Sequence, residues 1–100
     1  MSKIDYYAKR IAVAIIQGYG ETEKDKTTQF AQITTKSVER ALNTICLDIS
    51  DDMQRRVYES TKYGVKYEYM GLIPCEKNKF YNYRRDFIRK VAENLGLSKE

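Results

Sequence analysis

The sequence contains no histidine and no tryptophan, and it has only one proline and two cysteines. The lack of histidine removes the commonest general base and the commonest metal ligand. Cys46 and Cys75 lie far apart and in no Cys-x-x-Cys arrangement, so the sequence predicts no zinc site. It also has no glycine-rich phosphate loop and no nucleophile motif. We therefore predict that the protein is not an enzyme and uses neither a metal nor a cofactor.

A long hydrophobic run is also missing. The longest such run, residues 11–16, is far too short to cross a bilayer. Charged residues at positions 3, 5, 9 and 10 are atypical of a signal peptide. We expect a cytoplasmic protein without a membrane partner. Both cysteines have apolar neighbours; their spacing leaves a disulfide open, but we interpret them as reduced, buried side chains.

What the chain does have is a moderate positive charge and many tyrosines. Its 100 residues are enough for one domain, or for one small domain with an arm. A net charge of +4 and a pI near 9.0 suit an anionic partner. Nine tyrosines are the main aromatic residues, and each can pack its ring while its hydroxyl reaches water, phosphate or backbone.

The spacing of apolar residues predicts an all-α domain of about four to six helices with no sheet. The first helix is expected over residues 3–17, ending at Gly18, and residues 21–26 are expected to form a charged loop. A second helical region is predicted over residues 27–48. It forms either one helix or two pieces joined near Thr35, because the Thr and Ser residues at 34–37 compete for backbone hydrogen bonds. The expected apolar stripe of the first helix consists of Ile4, Tyr7, Ile11, Ala14 and Ile15, with Ala8 beside it and with Val13 and Ile16 widening the apolar arc.

A third helix has clear start and stop signals. Ser50 is expected to accept from the first backbone amides, and Asp51 and Asp52 suit the positive end of the helix dipole. This helix is predicted over residues 51–63, with Gly64 as its end. A further short helix is predicted over residues 65–70.

A long, basic helix is predicted after Pro74, ending at Gly96. Its apolar stripe is expected to pack on Val57 and Leu72. The residues of that stripe are Phe80, Phe87, Val91 and Leu95, with Ile88 alongside. Arg84 falls close to this stripe, and its charge is expected either to reach out to a phosphate or an acid, or to pair with Asp51, Asp52 or Glu59.

The opposite side of the long helix carries side chains suited to nucleic acid. Residues 76–90 contain six Lys or Arg against two acids. Asn and Arg can form two hydrogen bonds to the edges of adenine and guanine, respectively. The predicted base contacts are Asn78, Tyr81, Asn82, Arg85 and Arg89, and the predicted phosphate contacts are Lys66, Lys77, Lys79 and Lys90. The competing interpretation is a basic face that is simply solvated.

The order of short helix, glycine-containing turn and long basic helix is typical of a helix-turn-helix, with a plain helical hairpin as the alternative. We therefore divide the chain into residues 50–100, a helix-turn-helix DNA-binding unit, and residues 1–49, a helical segment that supports or oligomerises it. A single helix-turn-helix unit binds DNA weakly, and proteins that contain one commonly bind a two-fold symmetric site as homodimers.

The run Lys79-Phe-Tyr-Asn-Tyr-Arg-Arg-Asp-Phe-Ile88, closing in Ala92-Glu-Asn-Leu-Gly-Leu97, resembles the C-terminal end of ArpU/RinA-type phage late-gene transcription regulators. In that family a Phe-Tyr-x-Tyr-Arg-Arg helix ends in Ala-x-x-Leu-Gly-Leu, and the domain is similar to the DNA-binding fourth region of sigma-70 factors. The likeness covers roughly residues 53–97 and is specific over residues 80–97. The chain departs from the family at residues 76–79, where a small hydroxyl residue is usual.

This resemblance implies a phage- or prophage-encoded, sequence-specific regulator of transcription. Its implied partners are double-stranded DNA and the host RNA polymerase. The alternative function is a small helical phage assembly protein, or protein-interaction module, that grips its partner through a tyrosine-rich surface. Clustered basic residues with few acids favour the first function, and an apolar, tyrosine-lined patch favours the second.

Overall fold

The computed structural model describes residues 3–20, 28–45, 50–71, 73 and 75–97. The helices in these residues are α1 (Lys3–Gln17), α2 (Gln29–Ile45), α3 (Asp51–Tyr63) and α4 (Lys77–Asn94), with a 3-10 helix, Tyr67–Tyr69, ahead of α4. The described residues contain no strand, which confirms the predicted small all-α domain. None of these helices is long and apolar enough to cross a membrane. The predicted loop at residues 21–26 lies outside the described residues.

Helix α4 lies at the centre of the fold, where it contacts α1, α2, α3 and the 3-10 helix. Phe80, Phe87 and Val91 are fully buried, as their spacing predicted. They form one hydrophobic cluster with Val57 of α3, whereas Leu72, their other predicted neighbour, lies outside the described residues. Burial of two phenylalanines and a valine on one side fixes the rotation of α4, so the opposite side must face solvent.

The predicted apolar stripe of α1 is wrong. Its buried residues are Ala8, Ala12 and Ile16, while Tyr7 is 57% exposed and Ile11 is 47% exposed. The three buried residues belong to the same buried cluster as the phenylalanines of α4, and α1 packs against both α3 and α4. Small residues contribute little to the hydrophobic periodicity of a sequence, so the predicted stripe followed the larger apolar residues of α1 instead. The side chain of Ile4 is outside the described residues.

Helix α2 is a single continuous helix, so the alternative of two pieces is wrong. Thr34 and Ser37 face the core, and each hydroxyl donates to the carbonyl oxygen four residues earlier, at 2.8 Å and 2.9 Å. Because those bonds satisfy the hydroxyl groups within the helix, short polar side chains can be buried here. The larger Phe30 and Ile33 lie outside, 62% and 47% exposed.

The predicted bounds of α3 are confirmed. The Ser50 hydroxyl accepts from the backbone N–H of Met53 at 3.2 Å, and Gly64 ends the helix in the left-handed conformation with φ 65°. Asp52, in the first turn, accepts from Arg56 and Arg55. The hydrogen bond from Arg56 is the largest effect that lowers the pKa of Asp52 below its ordinary value.

The predicted helix at residues 65–70 is only a single 3-10 turn, Tyr67–Tyr69. Three hydrogen bonds hold this segment in place. The Arg56 guanidinium donates to the Met70 carbonyl at 2.8 Å, the Tyr67 hydroxyl donates to the Cys75 carbonyl at 2.7 Å, and the Tyr67 N–H donates to the Tyr81 hydroxyl at 2.9 Å. These bonds tie the turn to α3, to α4 and to the residues just before α4.

Cys75 is a free, half-buried thiol beside this segment. Burial raises the pKa of the Cys75 thiol above its ordinary value, which keeps it protonated and weakly reactive at neutral pH. The prediction of a reduced, buried Cys75 thus holds in part, because its side chain is half-buried. Cys46 is outside the described residues.

Candidate nucleic-acid interface

The exposed face of α4 carries four of the predicted base-contacting residues. Asn78, Asn82, Arg85 and Arg89 are all exposed, on the side opposite the buried phenylalanines. Successive members are three or four residues apart, so they form one line along the helix. The helical projection made from the sequence therefore agrees with the exposure of these side chains.

Hydrogen bonds within α4 position two of these arginines. The Arg85 guanidinium donates to the side-chain oxygen of Asn82 at 3.0 Å. Arg89 pairs with Asp86 at 3.4 Å and with Glu93 at 3.8 Å, so part of its charge is offset. Arg85, by contrast, forms no ion pair within the described residues, so its charge is less compensated than that of Arg89.

The four predicted phosphate-contacting lysines differ in their surroundings. Lys77 pairs with Glu68 of the 3-10 helix at 2.9 Å, which raises the pKa of Lys77 and lowers the pKa of Glu68. Lys90 pairs more loosely with Glu93, at 3.9 Å. Lys66 and Lys79 are exposed and form no ion pair within the part of the chain that the structure describes.

Tyr81 stands apart from the other predicted base contacts because it is half-buried. Its hydroxyl accepts from the Tyr67 N–H at 2.9 Å, and its ring packs edge-on against Phe80, with 5.8 Å between centroids. A base contact through this hydroxyl would have to share or replace the bond to Tyr67. The contacts that are present brace α4 against the 3-10 helix.

A basic groove runs between α1 and α4, next to the exposed face of α4. Its volume is about 760 Å³, and Val13, Ala14 and Ile88 form an apolar part of its wall. The described residues that line it include no carboxylate. The polar and aromatic lining residues are Tyr6, Lys9, Arg10, Gln17, Tyr81, Arg84 and Arg85.

Lys9 and Arg10 are the functional candidates that sequence reasoning missed. They were interpreted only as charges near the N-terminus, because the stripe assigned to α1 did not place them beside α4. If Ala8 and Ala12 are taken as the buried positions of α1, the helical projection places Lys9 and Arg10 next to the contact between α1 and α4. A small-residue stripe bordered by basic residues was the available signal.

Arg84 is half-buried, and its charged group lies in the groove. Its guanidinium stacks over the Tyr81 ring at 5.4 Å and donates to the Ser60 hydroxyl at 3.1 Å. Of the acids predicted as its alternative partners, Asp52 pairs with Arg55 and Arg56. The guanidinium thus bonds a buried hydroxyl of α3, and neither expected partner of Arg84, an acid or a phosphate, is what it contacts in the described residues.

The described residues contain no group of three or more His, Cys, Asp or Glu side chains placed to hold a metal ion. No protein-family model, no curated protein and no solved structure matches the chain. The likeness of residues 80–97 to the ArpU/RinA regulators therefore stays a prediction. What the fold and surface define is a small all-α domain whose central helix presents asparagine and arginine side chains beside a basic groove.

Proposed function

We propose that this protein is a sequence-specific regulator of transcription that binds double-stranded DNA through the exposed face of α4. One observation carries the proposal: Asn78, Asn82, Arg85 and Arg89 are exposed together on a helix whose other side is fixed by a buried stripe. A helix held in this way can enter the major groove with little reordering of its backbone.

In this mechanism α4 lies in the major groove, where Asn82 and Arg85 form paired hydrogen bonds with base edges. The contact between Asn82 and Arg85 orients both side chains before DNA arrives. Lys66, Lys79 and Lys90 hold phosphates on either side of the groove, and Lys77 joins them by exchanging Glu68 for a phosphate.

We further propose that residues 50–97 act as a variant helix-turn-helix. The segment from Gly64 to Glu76 is much longer than the turn of about 3–4 residues in an ordinary unit. In this variant α3 supports α4 through the buried contact of Val57, and the 3-10 helix replaces the short first helix. The resemblance to ArpU/RinA regulators supports phage regulatory DNA as the target, with RNA polymerase and a second copy of the chain as further partners.

The test is a pair of substitutions on α4 measured on two duplexes. A preferred duplex is first selected from a random pool, and affinity is then measured by fluorescence anisotropy for it and for a random duplex. Asn82→Ala and Arg85→Ala should each cost about 1–3 kcal/mol on the preferred duplex and much less on the random one. Lys79→Ala should weaken both alike and lower the salt slope by about one unit. Unchanged discrimination in the Asn82 and Arg85 variants would contradict the proposal.

A protein-interaction module is the second candidate, and the exposed residues Phe30 and Ile33 of α2 favour it. Large apolar side chains that stand on one surface are a common feature of protein-binding sites. If the chain binds no duplex at low salt, while Phe30→Ser abolishes its self-association or its capture of a partner, this function replaces DNA binding.

A further inference from the structure

The groove between α1 and α4 contains two arginines that are each held by a tyrosine of the same helix. The Arg10 guanidinium lies 5.7 Å from the centre of the Tyr6 ring and donates to its hydroxyl at 3.4 Å. Arg84 lies 5.4 Å from the Tyr81 ring and is also bonded to Ser60. Stacking on a ring restricts a guanidinium group and lowers the entropy that it loses when it binds an anion.

Among the described residues, the basic side chains of this groove have no acidic partner. Lys9, Arg10, Arg84 and Arg85 line it, and none of them pairs with a carboxylate in the described part of the chain. Three other basic residues of α4 differ, because Lys77, Arg89 and Lys90 have acidic partners. Four uncompensated cations in one groove create a positive potential that an anion would relieve.

The groove is continuous with the surface proposed to read DNA. Arg85 both lines the groove and stands on the exposed face of α4, where it contacts Asn82. An anion in the groove therefore lies beside α4, where the sugar-phosphate backbone runs when a helix occupies the major groove. The rings of Tyr6 and Tyr81 already support arginines, which favours a phosphate as the ligand over a base stacked on a ring.

We propose that the α1–α4 groove is a phosphate clamp, in which Arg10 and Arg84 together hold a backbone phosphodiester of the duplex that α4 reads. The inference rests on the proposed function and adds to it α1 as a second DNA-contacting helix. Two guanidinium groups can each offer paired N–H donors to the phosphate oxygens. The clamp positions the duplex but does not contribute to the choice of sequence.

The test uses Arg10, because Arg84 also bonds the buried Ser60 and its loss would disturb the fold. Arg10→Gln removes the charge from an exposed residue, and Lys36→Gln, on the exposed side of α2, is the matched control. Duplex affinity is measured across a range of salt concentrations. We expect Arg10→Gln to lower the salt slope by about one unit on preferred and random duplexes alike. Lys36→Gln should leave the slope unchanged.

A second measurement identifies the phosphate. Single phosphates of the duplex are replaced in turn by neutral methylphosphonates, and each duplex is bound to the wild type and to Arg10→Gln. At one backbone position the wild type should lose clearly more affinity than the Arg10 variant loses, because the variant has only the Arg84 contact left to lose there. Arg10→Lys should keep the salt slope but recover only part of the affinity, because lysine lacks the planar fork.

Each alternative outcome has a distinct meaning. If Arg10→Gln binds DNA as the wild type does, or if Lys36→Gln weakens binding equally, the clamp is refuted while the reading role of α4 stands. If no methylphosphonate position is coupled to Arg10, the groove does not hold a phosphate of the duplex, and the clamp is again refuted. If the wild type binds no duplex, the proposed function fails and the clamp fails with it.

Discussion

Ser60 is the residue through which α3, the following segment and α4 are joined, and its substitution gives a sharp prediction. It is fully buried; its hydroxyl donates to the Val65 carbonyl at 2.6 Å and accepts from Arg84 at 3.1 Å. Ser60→Ala removes one oxygen and leaves almost no cavity, so the change isolates these two hydrogen bonds. The Val65 carbonyl then lacks this donor, while the guanidinium can still reach water.

The expected loss of unfolding free energy is about 2 kcal/mol, since one ordinary and one charge-assisted hydrogen bond are broken. In a domain of this size, that loss corresponds to a fall in melting temperature of roughly 8–16 °C. Thr44→Ala is the control, because its hydroxyl bonds the Arg40 carbonyl at an exposed position. This control should change stability by less than about 0.5 kcal/mol.

A double-mutant cycle separates the two bonds. Urea unfolding is measured for Ser60→Ala, Arg84→Met and the double variant. We expect the two losses to overlap by at least about 0.5 kcal/mol, because both substitutions remove the same contact. A loss below about 0.5 kcal/mol in Ser60→Ala, or strict additivity with Arg84→Met, would refute this account of the junction.

Three further predictions concern the rest of the fold. Phe87→Ala should cost on the order of 3–5 kcal/mol because a fully buried ring is removed, and a thermal melt like that of the wild type would show that the core face of α4 is wrongly assigned. The Thr35 hydroxyl is buried and has no hydrogen-bond partner within the described residues, so Thr35→Val should stabilise the protein by about 1 kcal/mol in urea unfolding, whereas Thr34→Val should not, since its hydroxyl is bonded. The folded-state pKa of Glu68 is below its usual value of 4.5, so its pairing with Lys77 stabilises the fold above that pH and is lost as pH falls through the lowered pKa. The difference in melting temperature between the wild type and Glu68→Gln should therefore be present at pH 7 and shrink as the pH is lowered below 4.5; a constant difference would contradict the role of the pair.

Local signals in the sequence were enough to place α3 and the core face of α4. The cap at Ser50 and the left-handed Gly64 are formed by neighbouring backbone groups, so the residues themselves define the bounds. The stripe of α4 contains large aromatic residues whose burial dominates any packing. Both features depend on residues that are close in sequence.

The features that could not be predicted depend on contacts between residues that are distant in sequence. Whether α1 buries Ala12 or Ile11 depends on how closely α4 approaches, which the periodicity of α1 alone does not contain. The helix expected at residues 65–70 is only a 3-10 turn, and this segment is tied to Arg56 and Tyr81, which lie on two other helices. For the same reason the exposed face of α4 was predicted, while the groove that α4 forms with α1 was not.

The central claim, that the exposed face of α4 binds duplex DNA, is tested most directly by following backbone amide resonances while a preferred duplex is added at low salt. The predicted result is a saturable set of shifts over residues 77–90 of α4, joined by Lys9 and Arg10 of α1. Residues around Phe30 and Ile33 on α2 should not shift. If the duplex produces no saturable shifts, or produces them only on α2, then α4 does not bind DNA.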